Sequence, residues 1–355
     1  MPDTSIVKDA DLRKRLRDAS RFKLPAVREV EVRQIIAEQV ARNAESTARE
    51  VELSAMPREK RRRALTHDHF LQEHPRPADI RHLHSVLAIC GLPYKRPPID
   101  LRDFRRKQGN MGIMVQAGTS LGPDGAWLEH TLPFGPKARL ILIHLCSEAI
   151  RQKSPTVEIA DTFTAFVREM GLSDSGGKKG PLTACKEQLN ALAHCSIRIS
   201  STEPNKMKAN QFFLIEDIDM WLSTDSHPES RWRSTVTFSS VMFENLKVHA
   251  LPVNLHVASA LQGSARKLDI YFWLGWRMYN ISAPLTISWG PLTEQFGSGF
   301  SRQRDFKAKF IEETTHIKEL LPEAPFKLTE SGIILQPADL GALRLPLMRK
   351  SLKKV

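Results

Sequence analysis

Four apolar residues fix the character of residues 301–321, SRQRDFKAKFIEETTHIKELL. Phe306, Phe310, Ile317 and Leu321 recur at spacings of 4, 7 and 4, which lays a single stripe along a helix. The first nine residues hold Arg302, Arg304, Lys307 and Lys309 against one acid, Asp305. Arg304 falls roughly opposite the stripe, Lys307 lies on its shoulder, and Ser301 leads into the first turn. A helix that is basic at its N-terminal end and apolar along one side is what a helix-turn-helix reader needs. Its first turns meet base edges and phosphates while its other side packs on the domain. A solvated surface helix shows the same pattern, so the rest of the chain has to decide.

The bulk numbers favour a polyanion as partner. The chain has 355 residues and a formal net charge of +12, with a pI near 9.6, and its basic residues fall in clusters. Apolar residues make up 41%, enough for two compact domains and an extension. No run of about 18 apolar residues is present, so no membrane span is expected. The opening MPDTSIVKDADLRKRLRD lacks a signal-peptide apolar core. Cys90, Cys146, Cys185 and Cys195 form no CxxC pair. They read as reduced core thiols in a cytoplasmic protein, with Cys185 and Cys195 on one helix.

Five segments follow from patterning. Residues 1–66 carry 16 Lys or Arg against 11 Asp or Glu and read as a basic helical or partly disordered arm. Helix periodicity runs through Val30, Ile35, Ile36, Val40 and Val51, and the arm closes on Lys60 to Arg63. Residues 67–132 read as a helical or irregular lead-in. Ile80 to Cys90 looks helical, Leu101 to Lys107 gathers Arg102, Arg105, Arg106 and Lys107 against Asp103, and Ile113 to Val115 suggests a strand among five glycines.

Residues 133–248 and 249–345 repeat one order of elements: helix, strand, helix, turn, helix, hairpin. The first copy has a helix over Ala138–Ile150 and a short strand over Thr156–Ala160. A helix N-capped by Asp161 or Thr162 follows, then a helix from Pro181, then strands Ser196–Ser200 and Gln211–Asp217. The second copy has helices over Leu251–Gln262 and Lys267–Ile281 and a strand at Leu285–Ile287. A short helix at Pro291–Phe296 precedes the candidate reader, and Phe326–Leu328 pairs with Ile333–Leu335. The fold class expected is mainly α with small β-hairpins (α+β): tandem winged-helix domains behind a helical N-terminal arm, with residues 346–355 as a basic tail.

Three constellations suggest chemistry. The glycines around Lys178 and Lys179 miss the phosphate-loop pattern GxxxxGK[ST], because Leu172 and Lys179 stand at required positions. They suit a DNA phosphate ahead of a helix N-terminus, and an ordinary turn equally well. His82-Leu83-His84 suggests the metal-binding pair of a nickase, which wants both histidines on one side of a strand. Here ADIRHLHSVLAIC reads as helix, where residues two apart diverge. Of the possible nucleophiles Tyr94, Tyr271 and Tyr279, the last two sit in an apolar helix. His67, His69, His74, His82, His84 and Cys90 have irregular spacing and one thiol, unlike a zinc module. No metal or cofactor is therefore expected.

The motifs HLHSVLAICGLPYKRP, GNMGIMVQAG, LPFGPKARLILIHLCSEAIRQKSP, FTAFVREMGLSDSGG and LTACKEQLNAL occur in that order between residues 82 and 192. They resemble the RepA family of plasmid replication initiators, and the resemblance runs over about residues 80–345. It implies a non-enzymatic bacterial cytoplasmic protein of tandem winged helices. Such a protein binds directly repeated sites (iterons) in double-stranded origin DNA, helps open the duplex and recruits host DnaA and the replicative helicase. A monomer–dimer equilibrium and copy-number control go with it. The residues add their own expectation. Arg302 and Arg304, with Ser301, Lys307 and Lys309, read bases, while Lys178, Lys179 and Lys186 grip a neighbouring backbone. A winged-helix repressor, a metal-dependent rolling-circle nickase and a structural adaptor remain open beside this reading.

Overall fold

The computed structural model describes every residue except 1–3, 23, 59–60, 62–63, 66–75, 110, 123, 159–162, 173–179, 204–205, 220–234, 340–342, 344 and 346–355. The chain divides into two units, residues 1–69 and 70–355. In the first, helices α1 (Ala10–Ala19) and α2 (Pro25–Ala55) share a core of Val7, Leu12, Ala19 and Ile35. Gln39 on α2 is buried, and its side-chain oxygen accepts from the backbone N–H groups of Lys8 and Asp9, each at 3.0 Å. It satisfies donors at the start of α1 that no local side chain reaches. Arg42 binds Asp9, Asp11 and Glu38, and Arg15 binds Glu31 and Glu38. Of the residues whose spacing marks α2, Ile35 is buried while Val30, Val40 and Val51 are exposed.

The second unit begins with strand β1 (Ile80–His84), which runs straight into helix α3 (Ser85–Cys90). The helix expected over Ile80–Cys90 is thus half strand. The reason is non-local: β1 pairs antiparallel with β11 (Ala250–Asn254), from Ile80 opposite Asn254 to His84 opposite Ala250. The helix starts only where His84 Nδ1 accepts from the Val86 N–H at 3.2 Å. The same pairing corrects the helix expected over Leu251–Gln262, since helix α8 (Leu255–Leu261) follows β11 and opens with Asn254 as its cap.

Residues 67–132, expected as helical or irregular, carry strands β1, β2 (Asp103–Gln108), β3 (Met111–Gln116), β4 (Thr119–Leu121) and β5 (Trp127–Glu129). Strand β3 then pairs with β7 (Ser196–Glu203), and β7 with β8 (Lys206–Phe213), giving the sheet order β2-β3-β7-β8. The β7–β8 ladder extends to Glu203 opposite Lys206, so the hairpin is longer than Ser196–Ser200 and Gln211–Asp217 imply. Its second strand ends at Phe213. Residues Ile215–Asp219 form a separate strand, β9, in a sheet with β6 (Thr156–Glu158) and β10 (Thr235–Phe238).

Helix α4 (Gly135–Gln152) is buried along nearly its whole length. Helix α5 (Phe163–Glu169) inserts Phe166 and Val167, with Met170 just beyond its end, and α6 (Pro181–Ala193) inserts Cys185, Leu189 and Leu192. The caps expected at Asp161 or Thr162 lie outside the described residues. Cys195 stands past the end of α6, not on it, and all four cysteines are free and buried. Burial pushes the Cys146 and Cys195 thiols up to about 12.

Helix α7 (Ser240–His249) precedes β11, and α9 (Ala265–Asn280) carries buried Tyr271, Phe272, Trp273, Leu274 and Met278. Then come β12 (Leu285–Ser288), α10 (Trp289–Phe296), α11 (Gln303–Leu320), β13 (Phe326–Leu328) and β14 (Gly332–Leu335), with β14 central in the sheet β12-β14-β13. These elements stand where the periodicity places them. One core runs from Leu83 to Leu345, across the boundary expected at 248. The fold is mixed helix and strand.

A buried charge cluster ties its halves together. Arg139 of α4 binds both carboxylate oxygens of Asp269 on α9, Nε at 2.9 Å and Nη2 at 2.8 Å. Its remaining donors reach the carbonyls of Leu92, Pro93 and Gly135. Arg106 of β2 lies 3.7 Å from the same carboxylate, and Arg106, Arg139 and Arg266 all stack on the Tyr94 ring. Gly91 lets the chain pass this close: a Cβ there would stand 2.3 Å from Asp269 Oδ2, and its φ of +59° also favours glycine. Removing one partner of such a pair leaves a buried charge uncompensated. Asp269→Asn is expected to cost about 3–5 kcal/mol, read as a lowered urea midpoint with unchanged slope; a midpoint within error of the parent would assign the anchoring elsewhere.

Candidate nucleic-acid interface

Helix α11 is seated by aromatic packing. Phe306 and Phe310 are fully buried, with ring centroids 5.5 Å apart. Phe310 meets Trp289 and Phe296, and Phe306 meets Phe300 from the preceding turn. Ile317, Leu320 and Leu321 continue the buried side. The stripe expected from spacing is the side that faces the core.

The polar part of this seat is not legible in the stripe. Glu313 is 2% exposed and accepts from Ser264 Oγ at 3.2 Å, while the same oxygen caps the start of α9 by accepting from the Lys267 N–H. Lys267 Nζ meets His316 Nδ1 at 2.9 Å. Thus α11 and α9 are joined by polar contacts as well as by rings. Burial pushes the Glu313 carboxyl up from its ordinary value, against the pull of Arg266 and Lys309.

The N-terminal end presents the basic residues unequally. Ser301, Arg302 and Arg304 are exposed, with Arg302 in the N-cap position. The Arg304 side chain is 83% exposed and lies 3.5 Å from the neighbouring Asp305 carboxylate. Lys309 is engaged by Glu312 at 2.9 Å. Lys307 turns back: its Nζ donates to the Glu330 carbonyl at 3.0 Å and lies 4.9 Å above the Trp289 ring. Trp289 Nε1 donates to that same carbonyl at 2.7 Å.

Lys307 and Trp289 therefore fasten the β13–β14 turn to α10 and α11. Gly332 completes this corner, since a Cβ there would stand 2.0 Å from the Ile287 carbonyl oxygen of β12. The sequence signal for this bracket, a tryptophan at the start of α10, is visible only once the turn is placed beside it.

The second group of candidates is dispersed. Lys186 on α6 is partly buried and lies 5.5 Å over the Phe163 ring of α5. Lys178 and Lys179 lie outside the described residues, as do His67, His69 and His74. His84 is 4% exposed, spends Nδ1 on capping α3, and is held neutral by burial with a pKa near 4. The strand sets His82 and His84 at alternate positions, opposite to the divergence expected from a helix, yet His84 faces the interior. Tyr94 is partly buried and its hydroxyl accepts from Arg106, while Tyr271 is buried and its hydroxyl accepts from the Asn254 N–H. Among the described residues no group of three or more His, Cys, Asp or Glu is placed to hold a metal ion, and no helix is long and apolar enough to cross a membrane.

What the geometry defines is a mixed α+β chain with an exposed cationic helix end opposite a buried side. Residues 132–290 match the family described as Plasmid encoded RepA protein, the plasmid replication initiators that the sequence resembles. The match takes in α4 to α9 and β12; α11 lies beyond it. Two crystal structures of domains 2 and 3 of RctB are similar in shape. One is 11% identical over 64% of this chain and 84% of that one, with a TM-score of 0.43. The other is 10% identical over 70% and 94%, with a TM-score of 0.44. A likeness at this level says nothing of function. No curated protein matches.

The buried carboxylate gives a pH test of how α11 is seated. A carboxyl whose folded pKa is raised contributes stability that is complete below its unfolded value and lost as pH rises through the folded value. Relative to the parent, Glu313→Gln should therefore gain stability as pH rises from about 4.5 to 7, measured as the difference in urea midpoints. A difference independent of pH would show that Glu313 carries no burial cost.

Proposed function

We propose that this chain initiates plasmid replication by binding directly repeated sites in double-stranded origin DNA, and that α11 reads those sites. The observation that carries the reading is the exposed pair Arg302 and Arg304 on a helix end whose opposite side is locked into the core. A guanidinium so placed suits the two acceptors of guanine in the major groove. Residues 133–248 and 249–345 then act as tandem winged helices, with the β7–β8 and β13–β14 hairpins as wings. The retained order of helix, strand, helix, helix and hairpin supports this in both halves. Lys307, bound to Glu330 and Trp289, holds the second wing, and Lys309 adds charge at the rim.

The family match supports the remaining parts of the reading. The protein opens the duplex rather than cutting it, recruits host DnaA and the replicative helicase, exchanges between monomer and dimer in copy-number control, and works in the bacterial cytoplasm. Its role is binding, not catalysis: of the histidine pair that a nickase would use, His84 is spent on a helix cap in the interior. Lys186, Lys178 and Lys179 complete a backbone grip beside α6.

Anisotropy titrations with a duplex of direct repeats against a shuffled duplex test this. Arg304→Ala is expected to cost about 1–3 kcal/mol on the repeats and to relax preference at one base position. Equal weakening on both duplexes would make Arg304 a phosphate contact and remove α11 as the reader. Charge reversal at Lys178 and Lys179 should flatten the salt dependence by about 0.9 for each phosphate that is no longer neutralised; an unchanged slope removes both from the footprint.

A further inference from the structure

The basic run Arg102, Arg105, Arg106 and Lys107 plays no part in the site described above, and the structure divides it. Arg106 points inward to Tyr94 and Asp269. Arg102 donates to the carbonyls of Ala117, Gly118 and His130 at the root of the next hairpin. Arg105 and Lys107 flank Arg106 along β2 and are exposed, because successive strand residues face opposite ways. The inner side of the sheet is filled by Phe104, Ile113, Val115 and Ile197, which pack into the core.

The outer side forms ordered rows. Arg105 lies opposite Met114, and Met114 opposite Arg198. The neighbouring row is Lys107, Gly112 and Ser200. On the other flank Phe213 pairs with Ser196 and is 60% exposed. The Arg105 side chain is 71% exposed, and Arg198 is exposed as well. Asp103, bound to Arg105 at 2.9 Å, is the acid among the described side chains of these rows. Rows stand about 7 Å apart along the strands and neighbouring strands about 4.8 Å apart. The result is an open surface with three cations, a thioether between two guanidiniums and an aromatic ring at one corner.

We propose that this outer face of the sheet β2-β3-β7-β8 binds single-stranded nucleic acid, as a surface separate from α11. Cations spaced across strands follow a phosphate backbone, while exposed rings and flat guanidinium planes stack on bases that a duplex keeps hidden. Charge complementarity selects a polyanion. Phe213 and Met114 select one with unstacked bases, since a duplex offers its phosphates but not its base faces. Arg105 and Arg198 flank the path and Phe213 closes one end of it.

The test uses the full chain, a fluorescein-labelled 20-nucleotide oligothymidine and a duplex of direct repeats, both across a salt series. The parent is expected to bind the oligothymidine. The Arg105→Gln/Arg198→Gln double variant should bind it about tenfold or more weakly, with the salt slope reduced by about 1.4 for two phosphates. Phe213→Ala should weaken it about fivefold or more. Both variants should keep the duplex affinity and the parental thermal midpoint. Absence of oligothymidine binding by the parent, or variants that bind it as the parent does, overturns the proposal. Equal loss on both nucleic acids also overturns it, since a general polyanion surface is then sufficient. Failure here leaves the duplex reading by α11 standing, because that reading is decided by Arg304→Ala on the duplex.

Discussion

One buried carboxylate joins elements far apart in the second unit. Asp269 receives two hydrogen bonds from Arg139 and the field of Arg106, and the Arg139 guanidinium also binds the carbonyls of Leu92 and Pro93. An ion pair in this setting is a poor source of net stability, because desolvating both partners offsets much of the attraction. Its value lies in selectivity. Arg139 has five N–H donors in a fixed fork, so only one placement of α4, α9 and the Gly91 bend satisfies them together. The apolar core around it tolerates small shifts; the fork does not.

That arrangement bears on where nucleic acid can act. Helix α9 is held at one end by Asp269 and beside it by Ser264 and Lys267, which reach α11 through Glu313 and His316. The helix end that carries Arg302 and Arg304 is thus attached to the same rigid element as the segment that matches the RepA family. A contact made by α11 is borne by the core of the whole unit.

Sequence patterning succeeds where the determining contacts are local. The stripe of Phe306, Phe310 and Ile317 and the aromatic run of α9 place helices correctly, and the turn between β13 and β14 is legible from its flanking apolar pairs. Patterning fails where pairing comes from far along the chain. Nothing within Ile80–His84 announces that its partner is Ala250–Asn254, so apolar spacing there reads as helix. The same limit hides the roles of the basic run in β2. Arg105 and Arg106 are adjacent and chemically identical, and only their alternation on a strand sends one to solvent and the other against Tyr94. Lys307 reads as a DNA contact from its shoulder position; the turn that places Glu330 beside it lies some twenty residues on, and Trp289 stands about as far before it.

The pairing of Arg139 with Asp269 closes a loop of 130 residues. A ribosome adds about 5–20 residues per second, so about 6 to 26 seconds separate the emergence of the two partners. During that interval α4 has been made with its guanidinium uncompensated, and β1 waits with an open edge until β11 arrives. Such an edge is a template for wrong pairing. Until β11 is made, the nascent first half therefore exposes a strand edge that the folded unit covers.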